Sequence, residues 1–131
     1  MKSETLPIRE ENDLLLVRQV VRKWADELGF AILNQTKVVT AASELARNTL
    51  IHGGGGTVRL ETLVDRERHG LRLTFEDQGP GIADIEQALT DGFTTSHGLG
   101  LGFGGSRRLV NEFEVDSRPG EGTRVVVTQW A

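Results

Sequence analysis

No cysteine and no tyrosine occur among the 131 residues. Without thiols there is no disulfide framework, no Cys-ligated zinc and no thiol nucleophile, so a metal would have to bind oxygen or one of three histidines. Two Trp and five Phe leave little material for stacking nucleic-acid bases. Positive charge is also in deficit, with 15 Lys and Arg against 19 Asp and Glu and a formal net charge of −4. A nucleic-acid partner needs a basic stripe. Only short clusters such as Arg107-Arg108 and Arg66-Glu67-Arg68 occur, and they read as solvated positions. Runs of about eighteen apolar residues are missing, and the opening MKSETLPIREEN has no apolar signal core. The expectation is a cytoplasmic chain with no membrane and no nucleic-acid partner. Internal repeats and linkers are not found, and the length fits one domain, residues 1–131, around one core.

Glycine, by contrast, is plentiful and unevenly spread. Half of the sixteen glycines fall between Asp77 and Gly105. Fixing glycine costs backbone entropy, so such a band suggests positions where the chain turns at positive φ or lies close to a ligand. The plainer alternative is a long surface loop.

Taken in order, Glu4 to Ile8 reads as an edge strand, because Leu6 and Ile8 alternate with polar neighbours and Pro7 is tolerated at an edge. From Asn12, a candidate N-cap, Leu14, Val17, Val21, Trp24 and Leu28 recur at helical spacing until Gly29. That stripe fits either the core or a homodimer seam. A second helix is expected from Asn34 to His52, ended by four glycines, with Val38, Ala42, Leu45 and Thr49 on its apolar stripe. On a neighbouring face, Glu44, Asn48 and His52 stand four residues apart, in a column stepping roughly 6 Å per turn. Such a column is either an ordinary solvated face or a chemical one. Two alternating segments, Thr57–Val64 and Leu71–Phe75, predict antiparallel strands around a polar loop from Asp65 to Gly70. The second strand runs into Asp77-Gln78-Gly79-Pro80-Gly81, and a short helical piece from Ile85 to Leu89 follows. A third helix is expected to begin around Phe103 to Ser106 and to end at Asn111. Gly104 and Gly105 belong at its start, since each costs about 1 kcal/mol inside a helix. Phe113–Ser117 and Thr123–Trp130 close the sheet around Pro119-Gly120-Glu121-Gly122. The fold class is therefore α+β, a mainly antiparallel sheet with helices on one face.

The run from Gly100 to Gly105 fits the dinucleotide fingerprint G-x-G-x-x-G, but that fingerprint needs a strand immediately before it. DGFTTSHGL is no strand, and no Gly-Lys-Ser/Thr of a P-loop occurs. Three separated pieces align instead: Glu44-x-x-x-Asn48, Asp77-x-Gly79-x-Gly81, and Gly98-x-Gly100-x-Gly102, with Gly122-Thr123 as a fourth. In that order they resemble the N box, G1 box and glycine-rich lid of the ATPase superfamily of gyrase, Hsp90, histidine kinases and MutL. The whole chain, including ASELARNTLIHGGGG and RRLVNEFEV, resembles the small bacterial anti-sigma serine kinases, and among them the RsbT-type switch kinases of stressosome and partner-switching modules.

What the resemblance implies is a Bergerat-type sandwich using ATP and Mg²⁺. Asp77 would accept from the adenine amino group, Gly79 and Gly81 would let the backbone approach the base, with Ile82 beside them, and Thr123 would support the same edge through a water. Asn48 would offer its carbonyl oxygen to Mg²⁺, which prefers a few oxygen ligands, phosphates and retained waters. Backbone N–H groups of Gly98, Leu99, Gly100, Leu101 and Gly102 would cradle the phosphates. Glu44 would take the proton from the attacking hydroxyl. His52 and Thr94 remain open: His52 either touches nucleotide or caps its helix, and Thr94 either touches phosphate or is an ordinary lid residue. The implied activity is a protein serine/threonine kinase acting on a STAS-domain antagonist, then binding a phosphatase regulator when free. The alternatives are an anti-sigma factor holding a sigma factor, or a non-catalytic module gated by nucleotide.

Overall fold

The computed structural model describes residues 2–80 and 102–131. Eight elements follow in order: β1 (Ser3–Ile8), α1 (Glu11–Glu27), α2 (Ile32–Ile51), β2 (Gly56–Asp65), β3 (Arg68–Asp77), α3 (Gly102–Leu109), β4 (Glu112–Arg118) and β5 (Gly122–Trp130). The strands form one sheet in the order β1-β2-β3-β5-β4, and every adjacent pair is antiparallel. Pro7 lies in β1, at the sheet edge, where a missing N–H leaves no ladder unmade.

Strand alternation sets the two faces of this sheet. The inner face carries Leu6, Ile8, Val58, Leu60, Leu71, Leu73, Phe75, Val125 and Val127, and these form one buried cluster with Val17, Val21 and Trp24 of α1 and Val38, Ala42 and Leu45 of α2. The α1 stripe is therefore spent on the core. The outer face is polar, with Arg59, Glu61, Arg72, Arg124, Glu112 and Glu114 around a shallow groove. Among the described residues, the helices that pack on the sheet lie on its apolar side, and α3 packs against α2.

Four boundaries differ from the sequence expectation, each for a local reason. Helix α1 is capped at Glu10 rather than Asn12: the Asp13 carboxylate accepts from the N–H groups of Arg9 (2.8 Å) and Glu10 (3.1 Å). Asp13 thus satisfies donors that would otherwise be orphaned. Helix α2 begins at Ile32, two residues before Asn34, with extended Ala31 as its cap and no side-chain cap bond. A tertiary link supplies the entry: buried Gln35 donates through Nε2 to the Phe30 carbonyl (3.0 Å) and to Asp26 (3.3 Å), tying the α1–α2 turn. The polar stretch Asp65–Gly70 is only a two-residue turn, since β2 and β3 pair out to Asp65↔Arg68 with Arg66 at φ 60. Polarity there reflects exposed strand ends. Helix α3 runs from Gly102 to Leu109, short of Asn111, because Asn111 instead bonds β5: its N–H donates to Gln129 and its Oδ1 accepts from the Trp130 N–H, both at 2.8 Å. The short helix expected at Ile85–Leu89 lies outside the described residues.

Candidate functional site

The inner face of the sheet is apolar row by row until its last row. Leu60, Leu73, Val127 and Phe113 are mutual register partners across β2, β3, β5 and β4, and so are Val58, Phe75, Val125 and Val115. In the next row the partners are Gly56, Asp77, Thr123 and Ser117. Apolar packing stops there, and a carboxylate and two hydroxyls take its place. All three polar members are half-buried. They line a cleft at this end of the sheet together with Gln78 and Gly122.

Glycines hold the backbone close around Asp77. A Cβ on Gly53 would stand 2.6 Å from Asp77 Oδ2, and one on Gly79 would stand 2.7 Å from the Gly53 Cα. A Cβ on Gly122, whose φ is +89, would strike the Asp77 carbonyl oxygen and come to 3.0 Å from the Gln78 Cα. The Gly53 N–H itself donates to the Asn48 carbonyl (3.1 Å), so the end of α2 is pinned over the end of β3. Asp77 Oδ1 accepts the Gly79 N–H at 2.9 Å, a local turn that fixes the carboxylate. The Gly120 N–H donates to the Pro80 carbonyl (2.6 Å), linking the β4–β5 turn to the chain after β3. A flat, hydrogen-bonding edge fits such a place, because glycine leaves the room and Asp77 supplies the acceptor.

Of the α2 column, Glu44 and Asn48 are half-buried and His52 is exposed. Among the described residues neither the Glu44 carboxylate nor the Asn48 side-chain amide has a hydrogen-bond or ion-pair partner, and Ala41, one turn earlier, is buried in the core. His52 is the C-cap of α2, and its N–H donates to the Asn48 carbonyl at 2.9 Å. Since Gly53 abuts Asp77, Asn48 stands little more than one helical turn from the polar row and Glu44 one turn further. No group of three or more His, Asp or Glu side chains that could hold a metal occurs among the described residues. One amide oxygen suits a cation that keeps most of its shell as water and phosphate.

Asp77, Gly79, Thr123, Asn48 and Glu44 therefore gather around one end of the sheet and α2, with His52 at its rim. Gly102 opens α3, which packs against α2. Gly81, Ile82, Thr94, Gly98, Leu99, Gly100 and Leu101 lie outside the described residues. Two members of the site escaped sequence reading. Gly53 reads only as a helix stop, although it is also the contact surface for Asp77. Ser117 reads as one more alternating strand position; its placement opposite Thr123 required the register.

Residues 33–130 match the family model described as histidine kinase-, DNA gyrase B- and HSP90-like ATPase. The chain is 46% identical to the serine/threonine-protein kinase RsbT of Bacillus subtilis (strain 168), over 94% of this chain and 92% of that protein. It is 36% identical to the anti-sigma F factor of Thermoanaerobacter sp. (strain X514), over 86% and 82% of the respective lengths. Among solved structures, the RsbU and RsbW domains of a Mycobacterium tuberculosis protein superpose over 98% of this chain and 32% of that longer one, with a TM-score of 0.67 at 21% identity. That last likeness concerns the fold.

Proposed function

The chain belongs to the family of histidine kinase-, DNA gyrase B- and HSP90-like ATPases, and on that footing we propose that residues 1–131 act as one Mg·ATP-dependent protein serine/threonine kinase domain of a bacterial partner-switching module. Similarity along nearly its whole length to a serine/threonine-protein kinase is the observation that carries this reading. ATP is the phosphoryl donor appropriate to the family. No helix among the described residues is long and apolar enough to cross a membrane.

Each site residue takes one duty. Asp77 accepts from the exocyclic amino group of adenine, in a pocket kept open by Gly53, Gly79 and Gly122, and Thr123 borders the same edge. From the resemblance, Gly81 and Ile82 are assigned to the base, and Thr94 and the backbone N–H groups of Gly98 to Gly102 are assigned to the phosphates. Asn48 would hold Mg²⁺, which supplies charge neutralisation on the phosphates. Glu44 takes the proton of the attacking Ser or Thr hydroxyl as its oxygen bonds to the γ-phosphorus and the bond to ADP breaks. His52, exposed at the C-cap, serves the helix end. Positioning and electrostatics supply most of the rate in such a transfer, and the base contributes about 10²–10⁴-fold.

The substrate is a Ser or Thr on a STAS-domain antagonist. A phosphate adds roughly −2 charge, and within a packed interface it repels acidic neighbours and parts the complex. Freed kinase then binds a second partner, a phosphatase regulator. Incubation with Mg·ATP and candidate STAS proteins tests this: transfer to one of them is expected, and absence of transfer to all of them overturns it. A second reading, a module that restrains a sigma factor, is favoured by the similarity to an anti-sigma F factor. Glu44→Ala separates the two, since regulation that survives the loss of transfer makes binding the output.

A further inference from the structure

Glu44 is the only acidic residue of α2, and no acid stands three or four residues from Lys37. Lys37 therefore lacks the intrahelical ion pair that a helical lysine commonly finds. Among the described residues it has no hydrogen-bond or ion-pair partner elsewhere in the fold either. It is nonetheless half-buried, whereas the other basic residues of α1 and α2, namely Arg18, Arg22, Lys23 and Arg47, are exposed. Partial burial restrains the stem, so the ammonium is presented from a defined place. Seven residues are close to two helical turns, which puts Lys37 on the Glu44 face of α2, about 10 Å before it at 1.5 Å per residue. Asn48 is about 16 Å away by the same rise, and helical side chains lean towards the N-terminus, which carries the ammonium further off. Phosphates held near Asn48 are thus beyond its reach. What comes to Glu44 from solvent is the protein that receives the phosphate.

We propose that Lys37 is a specificity-determining residue for the protein substrate: it binds a carboxylate on that protein's surface, about 10 Å from the hydroxyl presented to Glu44. This rests on the proposed roles of Glu44 as base and of a protein as acceptor. The face of α2 is then divided between docking at Lys37 and transfer at Glu44. In an extended segment rising about 3.3 Å per residue, the acid stands three residues from the acceptor, and a folded domain can also supply it from a neighbouring loop. Contact with the partner removes water from both charges, so the pair gains strength as the interface closes. A neutral group in the same place leaves Lys37 unpaired in a closed interface, and a basic one repels it. That asymmetry makes the lysine selective.

Steady-state transfer from Mg·ATP to the STAS-domain protein found to accept phosphate tests the assignment. Lys37→Ala is expected to raise KM for that protein about tenfold, with kcat and the affinity for ATP within about twofold of wild type. Lys37→Met keeps an unbranched apolar stem, should behave as Ala does, and decides the matter if Lys37→Ala fails to fold. Lys37→Glu should raise KM about a hundredfold. Acids of the acceptor around its phosphorylated residue are then changed to lysine one at a time, and one of these changes is expected to raise KM with wild type and to lower it with Lys37→Glu. An unchanged KM in the Ala and Met variants, a loss that appears in kcat or ATP affinity instead, or the absence of any such charge-reversal pair overturns the role of Lys37 while the kinase reading stands. A wild-type protein that phosphorylates no STAS-domain protein overturns both.

Discussion

Gly53→Ala separates packing from nucleotide chemistry at the point where α2 meets β3. The φ of Gly53 is not in the left-handed region, so alanine is conformationally allowed there and by chain entropy alone would stabilise by about 0.4–1 kcal/mol. Space decides otherwise. The new Cβ would lie 2.5 Å from Asp77 Cβ and 2.6 Å from Oδ2, contacts that no rotamer of so short a side chain relieves completely. Overpacking of this kind costs about 1–3 kcal/mol, leaving a net loss of about 1–2 kcal/mol, or a drop of roughly 3–8 °C in Tm for a domain of this size. In an Asp77→Gly background both offending atoms are gone, and Gly53→Ala should then be neutral or stabilising. The four proteins form a cycle whose coupling is expected at about 2 kcal/mol. Urea midpoints of the nucleotide-free proteins, followed by circular dichroism, give each term. A coupling under about 0.5 kcal/mol would refute the contact between Gly53 and the Asp77 side chain. Titration of the single Gly53→Ala variant with ATP should further show about tenfold weaker binding, as Asp77 is displaced from the base.

Three further outcomes follow from named contacts. Gly120 and Gly122 both have positive φ, +80 and +89, but only Gly122 has backbone within 4 Å of its would-be Cβ. Alanine should cost about 1–2 kcal/mol at Gly120 and about 3 kcal/mol or more at Gly122, read as the difference between two thermal melts. Glu44→Gln should lower phosphoryl transfer by about 10²–10⁴-fold with ATP affinity held within about twofold, whereas Asn48→Ala should weaken binding of ATP only when Mg²⁺ is present; equal effects with and without the cation would remove Asn48 from that role. Phe75→Ala, at a position 1% exposed in the centre of the inner face, should cost about 3–5 kcal/mol in a chemical melt.

Periodicity made most of this fold legible because each element has one buried face. The α1 stripe Leu14, Val17, Val21 and Trp24 and the strand residues Leu71, Leu73 and Phe75 are buried as their spacing implies. Helix starts differ from the expectation where the capping group stands away from the expected cap residue. At Glu10 the accepting carboxylate belongs to Asp13, and at Ala31 the turn is held by Gln35, which lies beyond the cap itself. The α+β class and the antiparallel sheet also followed from pattern, but register did not. Nothing in DSRPGEGT says that Ser117 faces Thr123, because that pairing is set by a turn three residues long, and a slip of one position would send Ser117 to the outer face. For the same reason the sequence offered Asp77 as a strand end without showing that Gly53, twenty-four residues earlier, walls it.

The short link between the base row and the chemical column bears on how the site works as a unit. Gly53 touches Asp77 with its Cα side, and its N–H is bonded to the Asn48 carbonyl, which also accepts from His52. Between Asp77 and Asn48 there is thus one side-chain contact and one hydrogen bond. Helix α2 is in turn anchored along its length by Val38, Ala42 and Leu45 in the core. A packed helix on a packed sheet cannot change the spacing of Asp77 and Asn48 without opening that core, and a core resists deformation because it is close-packed. The spacing of Asp77 and Asn48 is consequently a property of the scaffold.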